Sequence, residues 1–169
     1  ASLSTGVGGV FVGMDVIAGF PGETEEEFEL GLQTLAELPW QRLHVFPYSE
    51  REGTPATRLP GIVPPSVRVE RGRKLNQLSL ERLTGHYKKI LEQCKRENIL
   101  LDSLLMEKQG PGGWISGYTP NYLRVLFPTE SKQGVNRNDL VSARPLDLMV
   151  DAKAHDVAFV AQPILPDAL

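Results

Sequence analysis

The stretch MDVIAGFPGETEEEFE, residues 14–29, decides how the first half of the chain is read. A short apolar run, from Met14 to Ala18, leads into Gly19-Phe20-Pro21-Gly22 and then into a row of glutamates. The run from Gly13 to Gly19 has the length and composition of a buried strand. Thr24-Glu25-Glu26-Glu27 is a capping box, in which the Thr24 hydroxyl and the Glu27 carboxylate each accept from a free N–H at the start of a helix. Phe28, Leu32 and Leu35 follow at helical spacing, and Pro39 stops the helix. Leu43-His44-Val45-Phe46 is the next short strand, closed by Pro47. Strand, helix and strand with short joins make a βαβ unit, and therefore a piece of parallel sheet.

A glycine turn between a strand and a helix often cradles a phosphate. In this turn Glu23, Glu25, Glu26 and Glu27 already meet the helix dipole, no lysine follows, and the G-x-G-x-x-G spacing is absent. The turn is therefore expected to hold no phosphate. It can still border a ligand, because parallel α/β folds bind at the carboxyl ends of their strands, where Pro47-Tyr48-Ser49 also lies.

Further along, Tyr48 to Pro65 reads as loop, punctuated by Gly53, Pro55, Pro60, Gly61, Pro64 and Pro65. Ser66 is placed to cap a long helix reaching about Asn98, with Leu75, Leu78, Leu83, Tyr87, Ile90 and Cys94 on one side. Gly72 and Gly85 weaken that helix, each by about 1 kcal/mol relative to Ala. After Asn98 the texture changes to short strand candidates separated by Gly, Pro, Asn and Asp, the pattern of a small all-β barrel. The fold class is thus α/β plus all-β, with the domain boundary at residue 98: residues 1–98 and residues 99–169. A parallel sheet normally needs several strands and both faces covered. Residues 1–98 supply two or three, so the chain reads as a piece of something larger. Its exposed strand edges predict self-association or poor solubility.

The chain has 169 residues, 41% hydrophobic and 23% charged, and a single cysteine. One cysteine rules out an internal disulfide framework and fits a reducing cytoplasm. No apolar run reaches the ~18 residues of a membrane span, and the N-terminus has no basic n-region, so neither a membrane segment nor a signal peptide is expected. The net charge of −3 hides an asymmetry. Residues 1–50 carry eight acids and one base, whereas residues 66–98 carry nine bases and four acids. The basic block offers a site to an anionic partner, with a solvated helix face as the plainer alternative. His44, His86 and His155 show no metal spacing, and no Ser-His-Asp arrangement can be assembled, so no catalytic residue and no metal ligand is assigned. Cys94 reads as a core thiol.

In the β module, GYTPNYLRVLF (residues 117–127) interleaves Tyr118, Tyr122 and Phe127 with Asn121 and Arg124. Lys108 and Trp114 precede it, and Lys132 and Arg137 follow. Aromatic and basic side chains on a small barrel suit an RNA-binding surface, stacking on bases and neutralising backbone charge. Lys108, Tyr118, Asn121, Tyr122, Arg124 and Arg137 are the candidates. Strand alternation sends about half of the aromatics to the core, and residues 99–169 carry eight acids against six bases.

GMDVIAGFPGETEEEFE, then LHVFPYSEREGTPATRLPG, then the Arg/Lys-rich helix and GYTPNYLRV resemble, in order, the C-terminal half of the radical S-adenosylmethionine methylthiotransferases. The resemblance implies the C-terminal part of a radical SAM partial TIM barrel, followed by a TRAM domain, a small OB-like barrel that recognises the substrate. It implies that Ile17, Gly19, Val45 and Phe46 line the adenosine side of the S-adenosyl-L-methionine pocket, with Tyr48, Ser49 and Gly53-Thr54-Pro55-Ala56 near its mouth. The RNA candidates above, with the basic helix, would meet the anticodon stem-loop of tRNA. The full-length parent would use S-adenosyl-L-methionine and two [4Fe–4S] clusters. The chain departs from that pattern because the CxxxCxxC triad is absent and Cys94 stands alone, so no cluster is expected here and the fragment is expected to be inactive. GYTPNYLRV is most similar to the subgroup that modifies N6-threonylcarbamoyladenosine 3′ of the anticodon. The alternatives are a stand-alone RNA-binding TRAM protein and a fragment directed to ribosomal protein S12.

Overall fold

The computed structural model describes residues 7–105, 113–128 and 138–164. Close packing divides the chain into two units, one of residues 12–82 and one of residues 1–11 with 83–169. The class is mixed α/β plus β, as the sequence implies.

The first unit opens with β1 (Gly13–Ala18), α1 (Glu25–Glu37) and β2 (Arg42–Pro47). β1 and β2 pair in parallel, Met14 opposite Leu43 and Ile17 opposite Phe46, which completes the βαβ unit. The capping box of α1 forms: Glu27 N–H donates to Thr24 Oγ1 at 3.1 Å, and Thr24 N–H donates to Glu27 Oε2 at 2.9 Å. Residues 48–64 are not wholly irregular, because Pro55–Arg58 make one 3-10 turn. The long helix, α2, runs from Pro65 to Glu97. Ser66 does not cap it. Pro65 takes the first helical position, where its missing N–H costs nothing, and Pro64 O accepts from Val67 and Arg68.

Ala18, Phe28, Trp40, Leu43 and Leu75 form the core of this unit, with Met14, Val16, Val45 and Leu78 packed against them. β1 is not the buried strand its composition suggests. It alternates, because only one face of the two-stranded sheet is covered. The other face carries Asp15, Ile17, His44 and Phe46, all exposed. Gly72 lies where α2 approaches β2, since a Cβ there would sit 3.4 Å from Pro47.

The second unit holds the latter half of α2 and five strands: β3 (Leu101–Leu105), β4 (Trp114–Tyr118), β5 (Arg124–Pro128), β6 (Leu140–Asp151) and β7 (Asp156–Pro163). They close into a barrel in the order β3-β4-β5-β7-β6. Every pairing is antiparallel except β5 with β7. β3 alternates strictly, with Leu101, Ser103 and Leu105 buried. Val125, Phe127, Val157, Phe159 and Ala161 fill the interior. Leu83, Tyr87, Ile90 and Cys94 of α2 are buried in the same unit, as their spacing implies, and the Tyr87 ring lies 4.6 Å from that of Phe159. Burial raises the pKa of the Cys94 thiol, as expected of a core cysteine.

Candidate nucleic-acid interface

The basic block of α2 divides into residues that serve the fold and residues that face solvent. Arg68 and Arg71 are buried. Arg68 makes a forked pair with Glu50, at 2.6 and 3.0 Å, and also donates to Val63 O and Tyr48 O. Arg71 reaches Glu23 at 2.6 Å and Glu25 at 2.8 Å. Hydrogen bonding to these arginines holds the pKa of Glu25 and Glu50 below the usual carboxylate value. Lys74 bridges to Glu29 at 3.0 Å, which raises its pKa. Arg82 donates to the carbonyls of Ala36, Leu38 and Trp40 and lies over the Trp40 ring. Four of the nine bases thus neutralise or cap the acidic first third of the chain and are taken up within the fold. Arg73, Lys88, Lys89 and Lys95 are exposed.

At the strand-to-helix turn, Gly19 N–H donates to Glu23 Oε2 at 2.8 Å. A glutamate carboxylate, itself paired to Arg71, therefore occupies the place a phosphate would take. Gly19 has φ 74°, and a Cβ there would lie 2.5 Å from Arg68 Cγ, so only glycine fits.

On the barrel, Thr119–Leu123 forms the β4–β5 turn. Thr119 N–H donates to Leu123 O, Leu123 N–H to Thr119 Oγ1, and Tyr122 N–H to Thr119 O. Thr119 Oγ1 donates to Asn121 Oδ1 at 2.7 Å. The Asn121 amide donates to Val7 O at 3.0 Å and Gly9 O at 3.1 Å, tying that segment to the turn. Asn121 therefore serves the structure of the turn. Tyr122 is 75% exposed. Tyr118, at the end of β4, stands directly opposite Arg124 on β5, and also opposite Leu104 on β3. Leu104 is in turn opposite Leu140, so Leu140, Leu104, Tyr118 and Arg124 form one cross-strand row. Arg124 Nη1 pairs with Asp156 Oδ2 at 2.7 Å, and its N–H donates to Tyr87 Oη at 2.7 Å.

The barrel hairpin thus brings Tyr118, Tyr122 and Arg124 together. Phe127 is buried, and so are its neighbours Val125 and Leu126, because both faces of β5 are covered there. Lys108 and Arg137 lie outside the described residues. Sequence reasoning missed Asp156 as the partner of Arg124 and Tyr87 as the anchor of its backbone. An acid opening the strand parallel to β5 was the only signal.

The residues assigned to S-adenosyl-L-methionine do not all share one surface. Ile17 and Phe46, 53% and 52% exposed, are cross-strand partners and form an apolar patch on the open sheet face. Val45 packs against the core on the opposite face, and Gly19 is buried beside Arg68. A [4Fe–4S] cluster does not fit the residues present, since one buried thiol cannot supply three ligands. Among the described residues, no three His, Cys, Asp or Glu are grouped to hold a metal. Among them, too, no helix is long and apolar enough to cross a membrane.

No family model matches the chain. A threonylcarbamoyladenosine tRNA methylthiotransferase of Bacillus subtilis (strain 168) is 38% identical over 129 residues, covering 74% of this chain and 27% of its own length. A ribosomal protein uS12 methylthiotransferase of Delftia acidovorans is 35% identical over 152 residues, 88% of this chain and 31% of that protein. A tRNA-2-methylthio-N(6)-dimethylallyladenosine synthase of Streptomyces viridosporus is 32% identical over 157 residues, 86% of this chain and 29% of that protein. The chain's homologues are methylthiotransferases. It spans 27% to 31% of the length of these three methylthiotransferases. Their names cover two tRNA bases and one ribosomal protein, so these relatives share a reaction type and differ in substrate.

Proposed function

We propose that the chain is the C-terminal part of a tRNA methylthiotransferase that acts on N6-threonylcarbamoyladenosine 3′ of the anticodon by radical SAM chemistry. In this reading residues 1–98 end the radical SAM partial TIM barrel and residues 99–169 are its TRAM domain. The observation that carries it is the closed barrel order β3-β4-β5-β7-β6 with β5 and β7 parallel, in a chain whose relatives modify tRNA or ribosomal protein. An OB barrel has five strands in Greek-key order and binds nucleic acid on its second and third strands. Here those strands are β4 and β5, which carry Tyr118 and Arg124, with Tyr122 in the turn that joins them. The resemblance of GYTPNYLRV and the 38% identity to the Bacillus subtilis enzyme support the substrate.

The parent would supply S-adenosyl-L-methionine and the clusters' radical chemistry. This chain contributes the Ile17–Phe46 patch and the RNA surface, and is inactive alone. The reading places it in the cytoplasm, and the open sheet face and strand edges favour self-association.

The test is fluorescence anisotropy of the chain with an unmodified ANN-decoding tRNA anticodon stem-loop across a salt series. Binding that weakens with salt and with Arg124→Ala supports the reading. Absence of binding at low salt, with binding to ribosomal protein S12 instead, transfers the chain to the S12-directed class.

A further inference from the structure

We propose that Tyr122 is a preset stacking platform for one unpaired base of the bound RNA, a proposal that rests on the tRNA-binding reading above. The turn carrying it is held by hydrogen bonds among Thr119, Asn121, Tyr122 and Leu123, and by the Asn121 amide on Val7 and Gly9. Inside that frame Tyr122 has φ 62°, the left-handed region where glycine and asparagine are at ease and a ring-bearing residue is strained. A turn that had only to reverse the chain would carry glycine there.

The ring does not repay the strain by packing. It is 75% exposed, and among the described residues it makes no ring contact and its hydroxyl no hydrogen bond. Strain kept in an over-determined turn, around a side chain with no structural duty, marks a functional residue. What an exposed ring offers is a π-face, and the groups beside it select the ligand. Arg124 and Tyr118 are direct cross-strand partners at the root of the same hairpin. Arg124 is itself paired to Asp156, so the ring at the tip and the second aromatic carry the selection, and both suit single-stranded RNA, whose bases can splay outward. A duplex keeps its bases stacked and offers the ring nothing.

The experiment uses the full chain with a labelled tRNA anticodon stem-loop, and with the same strand annealed to its complement. Tyr122→Gly is expected to melt no lower than the parent chain and to bind the stem-loop about ten- to a hundredfold more weakly, with duplex binding unchanged. Tyr122→Phe is expected to retain affinity. A 2-aminopurine placed in the loop should be quenched by the parent chain and not by Tyr122→Gly. Undiminished stem-loop binding by Tyr122→Gly overturns the proposal and leaves the tRNA reading standing. A lowered melting temperature for Tyr122→Gly overturns it too, by showing that the ring is structural. Failure of the parent chain to bind any RNA removes the tRNA reading and this proposal together.

Discussion

Between Pro65 and Arg82, α2 buries Arg68 and Arg71 against Glu50, Glu23 and Glu25, whereas between Leu83 and Glu97 it leaves Lys88, Lys89 and Lys95 in solvent. One continuous helix therefore uses positive charge in two ways. In the first half it answers Glu23, Glu25, Glu29 and Glu50, four of the eight acids of the first fifty residues, so half of these acids are matched internally. The second half leaves Lys88, Lys89 and Lys95 exposed to an external anion, and in the first half only Arg73 is similarly placed. A basic run is thus informative about partners only after its internal acids have been found. Arginine suits the buried role, because its planar fork meets a carboxylate with two donors, while the lysines are compact charges suited to solvent and phosphate.

The largest effect should come from Arg71. Arg71→Ala is expected to lower the urea unfolding free energy of the first unit by about 1–3 kcal/mol, because it removes a buried guanidinium that packs on Phe28 and pairs with Glu23 and Glu25. RNA affinity should stay unchanged. A variant that folds normally but binds RNA poorly would break the division between the two halves. Next, Thr24→Ala removes one side of the capping box and should cost about 1 kcal/mol by the same measurement.

A pH titration sharpens the contrast. Glu25 and Glu50 have folded pKa values lowered by hydrogen bonds to Arg71 and Arg68, so their contribution is full above the ordinary 4.5 and is lost as pH falls through the folded value. His86, in the second unit, has its pKa lowered by burial, with Lys89 adding to the effect. Its contribution is full above the ordinary 6.5 and declines as pH drops below that. Each unit holds one of the two tryptophans, Trp40 and Trp114. Unfolding read from Trp114 in a Trp40→Phe variant should therefore weaken below about pH 6.5, and unfolding read from Trp40 in a Trp114→Phe variant only below about pH 4.5. The smallest stability change belongs to Lys88→Gln with Lys89→Gln, within about 0.5 kcal/mol by urea unfolding. That pair should nevertheless reduce the salt slope of RNA binding by about 1–2.

What could be read from the sequence was what is local. The Thr24–Glu27 box closes within three residues, and the stripe Leu83, Tyr87, Ile90 and Cys94 needs only helical spacing. Burial of β1 was misread because composition cannot reveal that one face of a two-stranded sheet is left open. Ser66 lost the cap to the preceding prolines. Arg71 finds Glu23 across 48 positions, and Asn121 reaches Val7 across 114. No periodicity links such pairs, so a structural arginine and a structural asparagine both looked like ligands for RNA. Tyr118, Tyr122 and Arg124 fall on one hairpin because a hairpin gathers neighbours in sequence.

The approach of Gly19 to Arg68 makes position 19 sensitive to a force it does not itself exert. Any side chain there must displace the Arg68 stem, and the guanidinium would leave Glu50 with it. A steric change at an uncharged residue would then be inherited as an electrostatic lesion. In a saturation library, position 19 should return glycine alone, and a smaller residue in place of Arg68 should relieve the clash of Gly19→Ala while leaving the strain of its φ of 74°.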